Sequence, residues 1–253
     1  MRNIALVLSY DGTAYHGFQA QRAHVLTVQG VLESALAKLT GVQIRLTGAG
    51  RTDAGVHAAG QVVNFRTEAH IPIDRWPFAL NGILPHDIVV KAAYEVPASF
   101  HARFSAQGKT YRYTMDMQCI PNVFYRRFAW HTGPGLNIEA MRQAANLLVG
   151  QHDFNAFCAA KSTRDSHWRN ITGITVEFSS DLASIEVTAD GFLYHMVRII
   201  TGTLVEIGKN RAEPQWVAEM LTHLDGRAGQ TAPAHGLCLV KVAYPPDMLV
   251  QNG

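Results

Sequence analysis

Residues Thr47 to His57 read Thr-Gly-Ala-Gly-Arg-Thr-Asp-Ala-Gly-Val-His, which sets one carboxylate, Asp53, in a glycine-rich turn beside Arg51. Glycine adopts backbone angles that other residues avoid and lets another molecule approach the main chain. A carboxylate held in such a turn can be aimed at a reacting atom as nucleophile or base. An arginine beside it can hold a phosphate or open a base pair. The pair reads as a reactive acid presented to a polyanion. The same residues also have a purely structural use, because Asp in a glycine-rich turn closes Asx turns and caps helices. A dinucleotide-phosphate loop is excluded. Gly48-Ala49-Gly50 begins like GxGxxG, but Asp53 stands where the last glycine is needed, and a carboxylate repels a pyrophosphate. A P-loop is excluded because no Gly-Lys-Ser/Thr follows.

The elements that must carry this turn follow from periodicity. Ile4 to Leu8 reads as a buried strand stopped by Asp11-Gly12. Val28, Val31, Leu32, Ala35, Leu36 and Leu39 recur at helical spacing, with Thr27 as N-cap and Gly41 as stop. Strands are predicted at 42–47 and 61–66, a short helix at 74–82 and a strand at 88–94. The second half repeats this order. Residues 110–117 alternate, with Tyr111, Tyr113 and Met115 on one face. Asn137 caps a helix carrying Ile138, Met141, Ala144, Ala145 and Leu148, ended by Gly150. Strands follow through Ile174, Val176 and Phe178, then through Ile185, Val187 and Ala189. Helices at 193–207 and, after Pro214, at 215–224 precede a closing strand at 237–242. The expected class is α+β, with two ferredoxin-like (split βαβ) halves. The expected domains are residues 1–105, with the Asp53 loop, and 106–246, followed by a tail at 247–253.

Composition bounds the function. A chain of 253 residues, 47% hydrophobic, can bury a substantial core. A net charge of +2, from 22 basic and 20 acidic residues, is too balanced to announce nucleic-acid binding, so any RNA site must come from local patches. Cys119, Cys158 and Cys238 form no CxxC pair, which argues against a disulfide framework or a zinc ribbon and fits a reducing cytoplasm. The apolar run Ile4 to Leu8 is too short for a signal-peptide core or a membrane span. His235 with Cys238, and His152 with Cys158 and His167, lack a regular ligand spacing, so no metal is expected.

Several motifs, taken in order, resemble those of the TruA-type tRNA pseudouridine synthases. The Gly48 to Ala58 run resembles that family's active-site motif, and Ser9-Tyr10-Asp11-Gly12-Thr13 running to Gly17-Phe18-Gln19-Ala20-Gln21 resembles its N-terminal strand and loop. Phe100-His101-Ala102-Arg103-Phe104-Ser105-Ala106, Lys109-Thr110-Tyr111-Arg112-Tyr113, Phe192 to Arg198 and Thr231 to Leu237 complete the set. Gln230 and Cys238 depart from the usual proline and aromatic at their positions.

The resemblance implies isomerisation of uridine to pseudouridine in the tRNA anticodon stem-loop, at positions 38 to 40, by a homodimer. It implies two antiparallel sheets joined side by side around a central cleft that holds the site. Asp53 is then the catalytic carboxylate, with Tyr111 and Arg198 beside it, and Arg51 the arginine that displaces the base. Gln19, His101 and Arg103 belong to the substrate-binding set through the same motifs. Lys161 and Arg164 lie in a basic, aromatic segment, Lys161 to Arg169, that resembles an RNA-contacting loop. The reaction changes no oxidation state and adds no atoms, so no cofactor is expected. Each residue also has a plain structural reading: Tyr111 as a core tyrosine, Arg198 as a boundary arginine beside its helix's apolar stripe, Arg51 as a solvated charge, and the basic segment as a solvated loop. Two other functions use the same features. A non-catalytic tRNA-binding factor would need the RNA contacts without Asp53, and a nucleoside-processing hydrolase would use Asp53 without long RNA.

Overall fold

The computed structural model describes residues 1–21, 25–159, 166–222 and 228–249. Lys161 and Arg164 therefore lie outside the described residues. The elements are β1 (Arg2–Tyr10), α1 (Val28–Thr40), β2 (Thr47–Gly48), β3 (His57–Thr67), α2 (Trp76–Asn81), β4 (Ile88–Val96), β5 (Gly108–Asp116) and β6 (Trp130–His131). They continue with α3 (Ile138–Asn146), β7 (Gly150–Asp153), β8 (Trp168–Ser179), β9 (Leu182–Ala189), α4 (Met196–Gly208), α5 (Trp216–Thr222) and β10 (Leu237–Ala243). The chain is α+β and divides into two units, Met1–Gly108 with Cys238–Gly253, and Lys109–Leu237.

In the first unit β1 lies between β3 and β4 and is antiparallel to both, with Leu6 opposite Val63 and Ala93. Ile4, Leu6 and Leu8, which share one face of β1, are fully buried, and this fixes the register, since a slip of one residue would turn that set to the other face. β10 runs parallel to β3 on its other side, through Cys238 against His57 and Leu239 against Ala58. Gly60 permits this approach, because a side-chain carbon there would collide with the Val240 carbonyl. Helix α1 begins where Thr27 accepts the Gly30 N–H and ends at Gly41, whose φ is +76°. Its Leu32 and Leu36 are buried, as are Trp76 and Leu80 of α2, and Trp76 meets Phe65 of β3 edge-on at 5.3 Å.

The expected strand at 42–47 forms only at its end, as β2. The Leu46 N–H donates to Glu33 Oε1 at 3.1 Å and its carbonyl accepts from Gln29 Nε2 at 3.2 Å, so side chains of α1 take the groups that a ladder would use. Val42 is exposed, and burial of Ile44 and Leu46 fixes the segment without a sheet partner.

In the second unit the sheet order is β5-β9-β8-β7, antiparallel throughout. β6 pairs parallel with β5. Asn137 caps α3 by accepting the Ala140 N–H at 3.0 Å. The helix closes at Asn146, ahead of the expected stop, in successive tight turns from Leu147 to Val149, and Gly150 instead opens β7 with a φ of +109°. Helix α4 is buried on nearly every side, with Met196, Val197, Ile199, Ile200, Leu204, Val205 and Ile207 all in the core. Its Gly202 lies so close to the following chain that a methyl group would strike the Gln230 carbonyl oxygen.

An interior helical Gly→Ala substitution normally stabilises by about 1 kcal/mol. At Gly202 the collision is with backbone, and overpacking of that kind costs about 1–3 kcal/mol. Gly202→Ala is therefore expected to lower the urea unfolding midpoint, and a raised midpoint would contradict this packing.

Candidate active site

The Asp53 turn is held from both sides. Thr52, which precedes it, is buried. Its hydroxyl meets the Tyr10 hydroxyl at 2.8 Å and its carbonyl accepts the Phe18 N–H at 3.0 Å. After it, the Val56 N–H closes back onto the Asp53 carbonyl at 3.1 Å and the Gly55 N–H reaches the Tyr15 carbonyl at 3.3 Å. Gln61, fully buried in β3, donates to the Gly50 carbonyl at 2.9 Å. Burial pushes the Tyr10 phenol well above its ordinary pKa, so this anchor stays protonated at physiological pH. Gly17 completes the clamp. Its φ is +91°, and a side-chain carbon there would come within 2.8 Å of the Thr52 carbonyl. The result is a half-buried Asp53 side chain on a backbone fixed at Thr52 and Val56.

Arg51 and Gln19 are brought together on this same frame. The exposed Arg51 donates through Nε to Gln19 Oε1 at 3.2 Å. Gln19 Nε2 donates in turn to Gln29 Oε1 at 2.6 Å. Gln29 was not visible as a functional residue in the sequence. Its one signal is position: it shares a helical face with Leu32 and Leu36, where a polar side chain needs partners.

Tyr111 and Arg198 belong to the second unit. Tyr111 lies on β5 opposite Val187 and is mostly buried, with its ring edge-on to Phe192 at 5.1 Å and 86°. Arg198, in the first turn of α4, is half-buried. Its Nε donates to the Ala232 carbonyl at 2.7 Å, while the Ala232 N–H donates back to the Arg198 carbonyl at 3.0 Å. Tyr113, next but one to Tyr111, donates to the Pro233 carbonyl at 2.7 Å. Burial raises the Tyr113 pKa and the Arg198 charge offsets part of that rise, so the two lie in one electrostatic neighbourhood. Gly236 allows the chain to cross the Tyr113 ring, since a side-chain carbon there would sit 2.6 Å from it. The Thr231 to Leu237 motif is thus a backbone brace for Arg198 and Tyr113.

His101 and Arg103 occupy a different feature. His101 Nδ1 accepts the Arg103 and Phe104 N–H groups at 3.2 and 3.3 Å, closing its own turn, and its ring lies 4.4 Å from the Phe104 ring. Arg103 lies over the exposed Phe104 ring at 5.4 Å. His101 also lines an open cavity of about 810 Å³ with Arg45, Thr47 and Arg66, which Asp53, Arg51 and Gln19 do not line. Among the described residues no three of His, Cys, Asp and Glu gather in a group able to hold a metal ion. His152 Nε2 instead meets the Val149 carbonyl at 3.0 Å, and the Cys158 thiol meets the Ala159 carbonyl at 3.6 Å.

This chain matches a family model described as tRNA pseudouridine synthase over residues 6–105 and 144–245. It is 48% identical over 245 residues to tRNA pseudouridine synthase A of Brevibacillus brevis, covering 96% of this chain and 100% of that protein. It is 49% identical over 243 residues to tRNA pseudouridine synthase A of Moorella thermoacetica, covering 95% of this chain and 99% of that protein. A glycine-framed aspartate beside an arginine, in a chain similar to these proteins from end to end, leads to one conclusion: the chain belongs to the tRNA pseudouridine synthase family.

Proposed function

We propose that this protein converts uridine to pseudouridine in the anticodon stem-loop of tRNA, at positions 38 to 40, with Asp53 as the catalytic carboxylate. In that reaction the bond from ribose C1′ to uracil N1 breaks and a bond from C1′ to C5 forms. C5 gives up its proton and N1 takes one up, so atoms and electrons balance without a reductant or co-substrate. The observation that carries the reading is the frame around Asp53: a half-buried acid between the anchored Thr52 and the closed turn at Val56. Such fixation suits a group that must meet one atom of a uridine flipped out of its stack.

In this reading Tyr111 stacks on the flipped uracil, steadied by Phe192, and its phenol takes part in proton movement. Arg198 orients the acid, with its guanidinium steadied by the Ala232 carbonyl. Arg51 and Gln19 face the displaced base, while His101, Arg103, Lys161 and Arg164 contact RNA. No helix among the described residues is long and apolar enough to cross a membrane, and the cytoplasm is the proposed location. The two units are read as ferredoxin-like halves, a reading supported in the first by the neighbours β4-β1-β3 and by the short β2 pairing antiparallel with β3. We also propose a homodimer. Ile120, Val123 and Phe124 are 79%, 58% and 83% exposed within one short segment, an apolar patch suited to a second copy.

Asp53→Asn keeps the side-chain shape but supplies neither nucleophile nor base. Turnover on unmodified tRNA is expected to fall by about three orders of magnitude or more, with affinity changed only severalfold. Position-resolved pseudouridine mapping reads the outcome, and substantial conversion by this variant would leave only a binding role. Tyr111→Phe keeps the ring and removes the phenol, so it is expected to slow turnover more than it weakens tRNA binding. An unchanged rate would reduce Tyr111 to stacking. Sedimentation equilibrium at micromolar concentration is expected to give twice the chain mass of 27.8 kDa, and Phe124→Glu to move it toward one. A monomer of full activity would refute the dimer.

A further inference from the structure

We propose that Gln29 and Glu33 of α1 are positioning residues for Arg51, acting through Gln19; this rests on the function proposed above. The argument is one of hydrogen-bond polarity. Gln29 is 8% exposed, and its amide uses its full capacity. Oε1 accepts from Gln19 Nε2 at 2.6 Å and from the Ala20 N–H at 2.9 Å. Nε2 donates to Glu33 Oε1 at 2.8 Å and to the Leu46 carbonyl at 3.2 Å.

Two of these partners can only accept and one can only donate. A carboxylate and a backbone carbonyl have no proton to give, and a backbone N–H has no lone pair to offer. The Gln29 amide therefore has one permitted orientation, with oxygen toward Gln19. That orientation obliges Gln19 to turn its NH₂ toward Gln29 and its oxygen toward Arg51. A guanidinium carries donors only, so Gln19 serves Arg51 only in this orientation. The Glu33 carboxylate, with the Leu46 carbonyl and the Ala20 N–H, thus sets which atom Arg51 meets three side chains away. The relay runs from an anion to a cation, so each bond polarises the next in the same sense.

Backbone bonds fix the same loop. The Val28 and Gln29 N–H groups donate to the Gly17 and Phe18 carbonyls at 3.3 and 2.9 Å, and the Phe18 N–H donates to the Thr52 carbonyl. Helix α1 therefore holds the loop that carries Gln19, and that loop holds the turn that carries Arg51 and Asp53. A tether at Arg51 Nε commits one donor and leaves the Nη groups outside the relay.

The test compares single-turnover conversion and affinity for unmodified tRNA. Gln29→Glu removes the donors to Glu33 and to the Leu46 carbonyl and sets a second carboxylate against both acceptors, a repulsion that drives the side chain out of line with Gln19. The single-turnover rate is expected to fall about tenfold or more, with tRNA affinity changed by less than about threefold. Exchanging the pair, Gln29→Glu with Glu33→Gln, restores donor and acceptor between them while the Leu46 carbonyl loses its donor, and is expected to recover a large part of the rate. In an Arg51→Ala background, Gln29→Glu is expected to cost nothing further, because its route to the chemistry is already cut. A purely structural role would make the losses multiply and would follow the melting temperature. An unchanged rate in Gln29→Glu, no recovery in the exchanged pair, or a full further loss without Arg51 overturns the relay. If the wild-type protein converts no uridine, the functional reading fails separately. The relay is then read from the Gln19 side-chain amide resonances, which should move in Gln29→Glu and return in the exchanged pair. Unmoved resonances would overturn it.

Discussion

Thr52 is the residue on which the display of Arg51 and Asp53 by the first unit depends. Its hydroxyl is fixed by Tyr10 of β1 and its carbonyl by Phe18 of the preceding loop. It therefore stands between the sheet and everything the turn displays. Arg51 and Asp53 flank it and inherit its fixity without being buried themselves. Neither a cation nor an anion can be buried without a desolvation penalty. Burying the uncharged residue between them avoids that penalty. Tyr10 suits the anchor because its phenol, raised in pKa by burial, keeps its proton.

The second unit meets the same demand by a different device. Arg198 starts a helix that is apolar on nearly every side, so its charge cannot turn inward. It is steadied instead by a reciprocal pair of bonds with Ala232. The segment that supplies Ala232 and Pro233 can lie there because Gly202 and Gly236 leave room for it. Backbone carbonyls are good partners for this purpose. They accept a guanidinium bond without neutralising the charge.

Charge distribution follows a related logic. Several arginines are matched locally: Arg2 with Glu95 at 2.8 Å, Arg112 with Glu186 at 2.8 Å, and Arg211 with Glu206 at 3.2 Å. Partly exposed pairs of this kind contribute little to stability, about 0–1 kcal/mol each. Their larger effect is to cancel field at those places. Among the described residues the Arg51 guanidinium pairs with no such carboxylate and is held by the neutral Gln19 amide at an exposed position. A net charge of +2 is thus compatible with strong local attraction for a polyanion.

The sequence by itself determined the features that depend on near neighbours. The apolar spacing from Val28 to Leu39, bracketed by Thr27 and Gly41, specifies α1, because caps and helical periodicity act within a few residues. The Gly48 to His57 run specifies a tight turn displaying Asp53, and the order of its motifs carries the family. What depended on distant partners was settled only by tertiary structure. Residues 42–47 have a strand's pattern, yet Leu46 bonds to the side chains of Gln29 and Glu33, which local spacing cannot foresee. β10 returns to lie parallel to β3, a pairing between segments about 180 residues apart with no local turn to announce it. Gln29 looks like one more polar helix residue until its four partners converge on it. Hydrogen-bond polarity passes between side chains in space, and the chain records the side chains without recording which of them will meet.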